Sequence, residues 1–329
     1  MKNGRTDYLQ WIGRCAASLR ESGRYGQSIN YRKAGRSFAR FLGEKGLGSP
    51  SIREITPSLI KDYNRWLDDA GIVRNSVSFY NRQLRAMYNL ALKKGLTTKD
   101  RRPFDDVYTG VAKTSKRAVS LQEISRICSV PDDRPGIARD LFEFSFSTCG
   151  MCFADMAYLR KSDIHGSTLI YSRRKTGAQV RVPLSQRSRS IIAKYSAATK
   201  GSPYVFPILG DAKGEAAYRR YLSALTSYNR ALKQMSRTAD GRIHLTSYVT
   251  RHTWATEARN NGAPLSVISS ALGHSSERTT QIYLDSMDMS GITVVNRKIS
   301  RKIRRMMTKS GSIEEPLLSP QRYYISMNY

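Results

Sequence analysis

Acidic residues are scarce in this chain: 26 Asp and Glu stand against 55 Lys and Arg, a formal net charge of +29 over 329 residues. Metal-dependent nucleases and transposases hold their ions with clustered carboxylates, and no acidic strand pattern here offers such a cluster. Cysteine is equally sparse, with four residues. Cys15 and Cys128 fall among helical apolar positions, while Cys149 and Cys152 form one CxxC with no second pair to complete a zinc site. No thioredoxin-like βαβ pattern surrounds that CxxC, so buried, reduced thiols are expected there. Neither a metal nor a cofactor is expected. There is no run of about 18 apolar residues and no apolar signal-peptide core behind Met1, which excludes a helical membrane span and points to the cytoplasm.

What the chain has instead is distributed positive charge. Basic residues run from Arg5 to Arg322 rather than gathering in one tail. That pattern predicts a folded, positively lined surface that condenses onto a polyanion with strongly salt-dependent affinity, nucleic acid before membrane.

Apolar periodicity divides the chain. Tyr8, Trp11, Ile12, Cys15 and Leu19 recur at three and four, as do Ala34, Phe38, Phe41 and Leu42; Thr56-Pro57 opens a third helix through Ile60, Tyr63 and Leu67, and a fourth is expected over Ser76–Lys94. Residues 1–96 therefore read as an all-helical domain. The polar stretch 97–117, with Pro103, Gly110, Lys113, Lys116 and Arg117, reads as a basic linker able to lie along a phosphate backbone. Residues 118–308 form the second domain and 309–329 a tail. Ser120 and Glu123 fit a capping box. After helices over Ile137–Thr148 and Phe153–Arg160 the period changes to two: Leu169, Tyr171, Arg173 and Lys175 alternate with Ile170, Ser172 and Arg174, and Val180, Val182 and Leu184 return after Thr176-Gly177. The fold class is mainly α with a small antiparallel hairpin or sheet: a two-domain DNA clamp, one helical domain and one mixed α+β domain.

The motifs Thr148-Cys-Gly-Met-Cys-Phe-Ala-Asp-Met-Ala-Tyr-Leu159, Arg173-Arg-Lys-Thr-Gly177, Ser247-Tyr-Val-Thr-Arg-His-Thr-Trp-Ala-Thr256, Leu272-Gly-His274 and Thr280-Gln-Ile-Tyr283 follow one another in the order and spacing of a known family. Over about residues 118 to 290 the chain resembles the tyrosine recombinases, or phage integrases, and its helical N-terminal part is similar to their core-binding domain. The resemblance implies an enzyme that cuts one DNA strand at a time through a 3′-phosphotyrosine, releases a 5′-hydroxyl, and exchanges strands through a Holliday junction. It implies a homotetramer on double-stranded DNA with paired recombination sites, with an accessory DNA-bending protein as a further candidate partner and a nucleoid-associated location. Tyr283 corresponds to the nucleophile and Arg251 to the arginine of the HxxR motif. Lys175 matches the lysine that protonates the leaving oxygen, and His274 a phosphate donor. Asp155 matches an acidic position that orients partners, and His252 braces the fold. Arg82 and Arg85 of the fourth helix, with Lys113, Lys116 and Arg117, are the expected DNA contacts.

Two positions depart from the family. Cys152 stands where the first catalytic arginine belongs, and Tyr248 where HxxR has its histidine. A thiol cannot supply a guanidinium's charge, and losing one transition-state donor costs about 3 to 4 kcal/mol. Strand alternation is expected to place Arg173 on the same face as Lys175, from which it could fill the vacancy; the stretch around Arg251 is similar to that of a subgroup of integrases and phase-variation invertases whose arginine is displaced. Tyr248 is expected to keep a hydroxyl contact to the phosphate or to His274. A type IB topoisomerase, and a catalytically impaired DNA-binding regulator derived from a recombinase, are the competing readings. Residues 293–307 are expected to form a basic amphipathic helix.

Overall fold

The computed structural model describes residues 6–112, 119–129, 136–239, 245–274 and 276–284, with the backbone alone at 127, 129, 238, 239 and 282–284. The sequence expectations for Lys113, Lys116, Arg117, residues 293–307 and the tail fall outside the described residues. The chain separates into two units, one formed by Met1–Lys116 with Tyr195–Tyr228, the other by Arg117–Lys194 with Asn229–Tyr329.

The first unit is built from α1 (Tyr8–Glu21), α2 (Tyr25–Glu44), α3 (Pro57–Asp69) and α4 (Arg74–Lys93). Local chemistry sets their starts: Gln10 N–H donates to the Asp7 carboxylate at 2.8 Å, and Leu59 N–H to the Thr56 hydroxyl at 3.3 Å with Pro57 in the first helical position. The apolar stripes meet in one core of Tyr8, Phe38, Phe41, Tyr63, Leu84 and Met87, all at 0% exposure. Phe38 lies edge-on to Tyr63 with centroids 5.2 Å apart, and edge-on to Tyr8 at 6.1 Å. Buried polar tips find carbonyls: Tyr8 Oη donates to Leu84 O at 2.7 Å and Trp11 Nε1 to Met87 O at 2.9 Å. These bonds lock α1 to α4 across 76 residues of sequence.

Residues 97–112 do not hang free as a linker. Asn75 exchanges two hydrogen bonds with the backbone of Ala112, at 3.1 and 2.8 Å, Ser78 Oγ donates to Gly110 O at 2.6 Å, and Asn81 Nδ2 to Tyr108 O at 3.1 Å. Phe104 is buried against Tyr88. A polar seam on α4 therefore satisfies the backbone of this stretch, and composition alone reads such a seam as solvated loop.

The second unit begins with α5 (Leu121–Ser129), whose capping box is formed: Glu123 N–H donates to Ser120 Oγ at 3.2 Å and Ser120 N–H to Glu123 Oε2 at 2.8 Å. Then come α6 (Ile137–Ser147), α7 (Phe153–Ala157), the strands β1 (Ile164–His165), β2 (Thr168–Ser172) and β3 (Gln179–Pro183), and α8 (Gln186–Tyr195). The sheet is antiparallel in the order β1-β2-β3, pairing Leu169 with Val182 and Tyr171 with Val180, and these four side chains face inward. The chain continues through α9 (Gly214–Ala239), α10 (Val249–Asn260), α11 (Leu265–Leu272) and α12 (Glu277–Leu284). Residues Tyr195–Tyr228, assigned to the second domain from sequence, group with the helical unit, where Glu215 accepts from Arg20 Nε at 2.6 Å and the Tyr218 ring lies 5.6 Å from that of Tyr25.

One expectation about the hairpin is corrected. Strand β2 ends at Ser172, so Lys175 is not strand-borne and does not share a strand face with Arg173: Arg173 is 5% exposed, whereas Lys175 stands exposed in the turn. The ladder stops because Arg173 N–H, bonded to Ala178 O at 2.8 Å, closes the loop, and Arg174 N–H turns away to the Asp155 carboxylate at 2.9 Å.

Phe38 touches aromatic rings from α1, α2 and α3, so Phe38→Ala is expected to cost about 3 to 5 kcal/mol of unfolding free energy. Denaturant unfolding checks this, and a loss below about 1 kcal/mol would mean that these rings are not one core.

Candidate active site

The site is organised around the end of α11. The last carbonyls of a helix have no intrahelical partner and carry the negative end of its dipole. Here the chain leaves the helix through Gly273 at φ +59°, where an added Cβ would stand 2.7 Å from Val180 Cγ2 and 3.0 Å from Arg173 Cδ. Two guanidinium groups take the exposed carbonyls. Arg251 donates from Nη2 to Leu272 O, and Arg173 from Nη1 to Gly273 O at 3.2 Å, with the Thr176 hydroxyl on the same oxygen at 3.1 Å. Both arginines are buried, Arg251 to 2% and Arg173 to 5% exposure.

Arg251 lies in the first turn of α10 and is gripped from a second direction. Its Nη1 donates to Gly150 O at 3.3 Å, and Gly150, at φ +71°, approaches so closely that a Cβ would fall 2.5 Å from Arg251 Cα. The bend that brings Gly150 there is held by Ser145, whose carbonyl accepts from Gly150 N–H at 2.8 Å and whose hydroxyl meets Met151 O and the Thr250 hydroxyl, each at 2.7 Å.

Positive charge in this pocket exceeds its neutralisation. Asp155 Oδ2 lies 3.8 Å from Arg173 Nε, an ion-pair distance too long for a hydrogen bond, and that Nε has no hydrogen-bond partner although buried. No carboxylate comes within 4 Å of the Arg251 guanidinium among the described residues. Burial holds the Asp155 carboxyl above its ordinary range, with the Arg174 N–H and then the Arg173 charge pulling it back down. Cys152, capping the start of α7, lies with Sγ 3.5 Å from Arg173 Nη2. Among the described residues, then, the cationic side chain in contact with Cys152 is Arg173, reached from the base of the turn and not from a strand face.

His274 follows Gly273 directly. Its Nε2 lies 3.1 Å from Arg251 Nη2 and its Nδ1 2.8 Å from the hydroxyl of Thr280, a fully buried residue of α12. Burial first, and then the charges of Arg251, Arg173 and Lys175, push its pKa down to about 4, so the imidazole is neutral at physiological pH. Tyr283 belongs to the same helix α12, three residues after Thr280; its side chain is outside the described residues. Tyr248 is 47% exposed, with its ring centroid 6.3 Å from that of half-buried His252. Desolvation, then nearby Cys152, raises its phenol above the ordinary 10, which disqualifies it as a base near neutrality. Cys149 is likewise raised, to about 11, mainly by burial.

In the helical unit, Arg82 and Arg85 share an exposed face of α4 with Asn89 and Lys93, at the three-and-four spacing of a single stripe, and α4 contains no acidic residue. Among the described residues no helix is long and apolar enough to cross a membrane, and no three His, Cys, Asp or Glu side chains gather as a metal-binding group.

Residues 117–289 match the model of the phage integrase family, and residues 7–107 that of the phage integrase SAM-like domain. The chain belongs to the phage integrase family. It is a tyrosine recombinase by that membership. It is 25% identical over 243 residues to the tyrosine recombinase XerD of Halalkalibacterium halodurans, covering 71% of this chain and 78% of that protein. With XerD of Bradyrhizobium diazoefficiens it shares 26% over 285 residues, 77% of this chain and 84% of that one. Among solved structures, the Tn1549 transposon integrase in complex with transposon right end DNA superimposes with a TM-score of 0.62 at 16% identity, covering 90% of this chain and all of that one. A lambda integrase dimer bound to a COC′ core site gives 0.62 at 18%, covering 85% and 96%. At such identities these likenesses concern the fold.

Sequence reasoning did not single out Gly150, Gly273, Ser145, Thr250 or Thr280. Gly150, Gly273 and Thr280 all lie within the quoted motifs, Gly273 where a helix ending at Leu272 is expected to close and Thr280 one helical turn before Tyr283, but the motifs do not show which partner each approaches.

Two outcomes are expected. In an NMR titration the His274 ring should protonate near pH 4, against 6.5 for the unfolded chain; because the unfolded state then binds the proton more readily, this residue's contribution to stability is complete above about pH 6.5 and declines as pH falls toward 4. A midpoint above 6 would contradict the desolvated, cation-flanked setting. Gly150→Ala should unseat Arg251 and lower the thermal midpoint by several degrees, whereas an unchanged midpoint would mean that the close approach is absent.

Proposed function

We propose that this recombinase cleaves and rejoins double-stranded DNA through a 3′-phosphotyrosine on Tyr283. The observation that carries this reading is the pair of buried guanidiniums on successive carbonyls of one helix end, with Asp155, 3.8 Å from Arg173, as the one carboxylate beside them among the described residues. Such a pocket favours an anion, and the transferred phosphoryl group gains most negative charge at its nonbridging oxygens in the transition state. Arg251 and Arg173 act as the donors to those oxygens, Arg173 in place of the arginine that Cys152 displaces. His274 supplies a further N–H. Exposed Lys175, on the mobile end of a long side chain at the turn, protonates the leaving 5′-oxygen. Asp155 orients the turn through Arg174 N–H and stands beside Arg173; His252 braces α10, and Tyr248 meets the phosphate from its exposed position.

The energetics require no added cofactor. The phosphotyrosine conserves the phosphodiester energy, so the released 5′-hydroxyl can reverse the attack on the same or a partner strand. Four protomers on two sites then exchange strands through a Holliday junction, and the orientation of those sites decides between inversion, integration and excision. In this reading residues 118–308, apart from the stretch Tyr195–Tyr228 that groups with the helical unit, form the catalytic domain, while Arg82, Arg85, Lys113, Lys116 and Arg117 bind the duplex, their phosphate contacts giving a steep loss of affinity with salt. The enzyme works in the cytoplasm on the nucleoid, with an accessory DNA-bending protein where site geometry demands one.

The test is a covalent trap. Wild type and Tyr283→Phe are incubated with fragmented DNA of the source genome, denatured, and the protein-bound ends sequenced. Adducts with wild type alone, mapping to paired repeats, are expected. Tight DNA binding without any adduct would instead identify a regulator disabled at Cys152, and adducts without tetramer formation a topoisomerase.

A further inference from the structure

The contact between His274 and Thr280 bears on how the site switches from empty to loaded. An arginine N–H can only donate, so the 3.1 Å contact from Arg251 Nη2 requires a bare lone pair on His274 Nε2. The ring is neutral, so its proton is on Nδ1 and is donated to Thr280 Oγ1 at 2.8 Å. In that tautomer Nε2 has nothing to donate to a phosphate. A phosphate arriving at Arg251 competes for its N–H groups and offers an acceptor to Nε2, which favours the opposite tautomer. The half-buried ring then takes a proton on Nε2 from solvent water and gives the one on Nδ1 back to water, with no net change in charge. Nδ1 is left needing a donor, and what faces it decides whether the exchange is cheap. A carbonyl or carboxylate would oppose it; a hydroxyl rotates from acceptor to donor at little cost.

We infer that Thr280 is a positioning residue whose hydroxyl holds His274 in the Nδ1–H form while the site is empty and supports the Nε2–H form when phosphate binds, so that loading of the pocket and seating of the nucleophile's helix are linked. The inference rests on the phosphoryl-transfer reading above. Thr280 is fully buried in α12, three residues before Tyr283, and α12 packs on α11, the helix whose end binds both arginines. A hydrogen bond from α12 to the residue that senses the phosphate therefore ties the nucleophile's helix to occupancy. Among the described residues, the charged groups facing the ring are Arg251 from α10 and Arg173 and Lys175 from the hairpin. All three are cations at working pH, so the exchange proceeds between neutral forms and not through a stable imidazolium.

Thr280→Val is nearly isosteric but cannot hydrogen-bond, and Thr280→Ser keeps the hydroxyl. Long-range 1H–15N correlation spectra of the free protein report the tautomer, and with four histidines in the chain a His274→Gln control assigns the signal. Wild type and Thr280→Ser should show Nδ1–H, and Thr280→Val should lose that single form. On duplexes recovered by the covalent trap, Thr280→Val should cleave about ten-fold more slowly at saturating DNA with unchanged DNA affinity, and Thr280→Ser within about twofold of wild type. An Nε2–H tautomer in the free wild type would overturn the inference, as would Thr280→Val cleaving like wild type. If Thr280→Val does not fold, the wild-type tautomer still decides. Failure of wild type to form any adduct would refute the phosphoryl-transfer reading instead, a result distinct from either of these.

Discussion

Two guanidinium groups buried against the C-terminal carbonyls of α11 set the terms for everything around them. A buried cation without a full counter-charge is costly, and the protein meets that cost with dipoles: Leu272 O and Gly273 O at the negative end of a helix, Gly150 O from the bend after α6, and the lone pair of His274. These acceptors come from two parts of the second unit, the end of α11 with Leu272, Gly273 and His274 and the bend after α6 with Gly150, so the arginines are also what joins those parts. Gly150 and Gly273 are glycines because the acceptors must approach closer than a side chain permits.

That arrangement explains the scarcity of acidic residues at a finer scale than net charge. A second carboxylate beside Arg251 would stabilise the folded protein and blunt its attraction for a phosphate. Asp155 is present, yet it hydrogen-bonds the Arg174 backbone and stays 3.8 Å from Arg173, so the guanidinium face remains only partly neutralised. On the proposed reading the excess charge is what draws the phosphate, carried as a deficit in stability, the usual relation between a preorganised electrostatic site and its fold.

Much of the fold was legible because helical stripes are physically redundant: Tyr8, Phe38, Tyr63 and Leu84 each announced the core face of a separate helix, and all four lie in one core. The hairpin strands were legible for the same reason, with Leu169, Tyr171, Val180 and Val182 alternating inward. Where the reading failed, a side chain had replaced a backbone partner. Arg173-Arg174-Lys175 continues the alternation of β2, but the Asp155 carboxylate draws off Arg174 N–H and the ladder ends. The polar stretch 97–112 resembles a solvated linker, yet Asn75, Ser78 and Asn81 bind its backbone. Neither contact has a signature in composition or period. Family resemblance named Arg251, Arg173, His274 and Asp155 as candidates, and the structure brings these four together; that Arg251 and Arg173 share a helix end, and that Thr280 faces His274, could be read only from coordinates.

The central claim is that Arg173 supplies the charge absent at Cys152, and the most direct measurement is single-turnover cleavage by Arg173→Ala beside Arg173→Ala combined with Cys152→Arg. The account predicts that the single substitution slows cleavage about 10² to 10³-fold at unchanged DNA affinity, and that an arginine restored at position 152 recovers much of the loss. Cleavage by Arg173→Ala at the wild-type rate would contradict it.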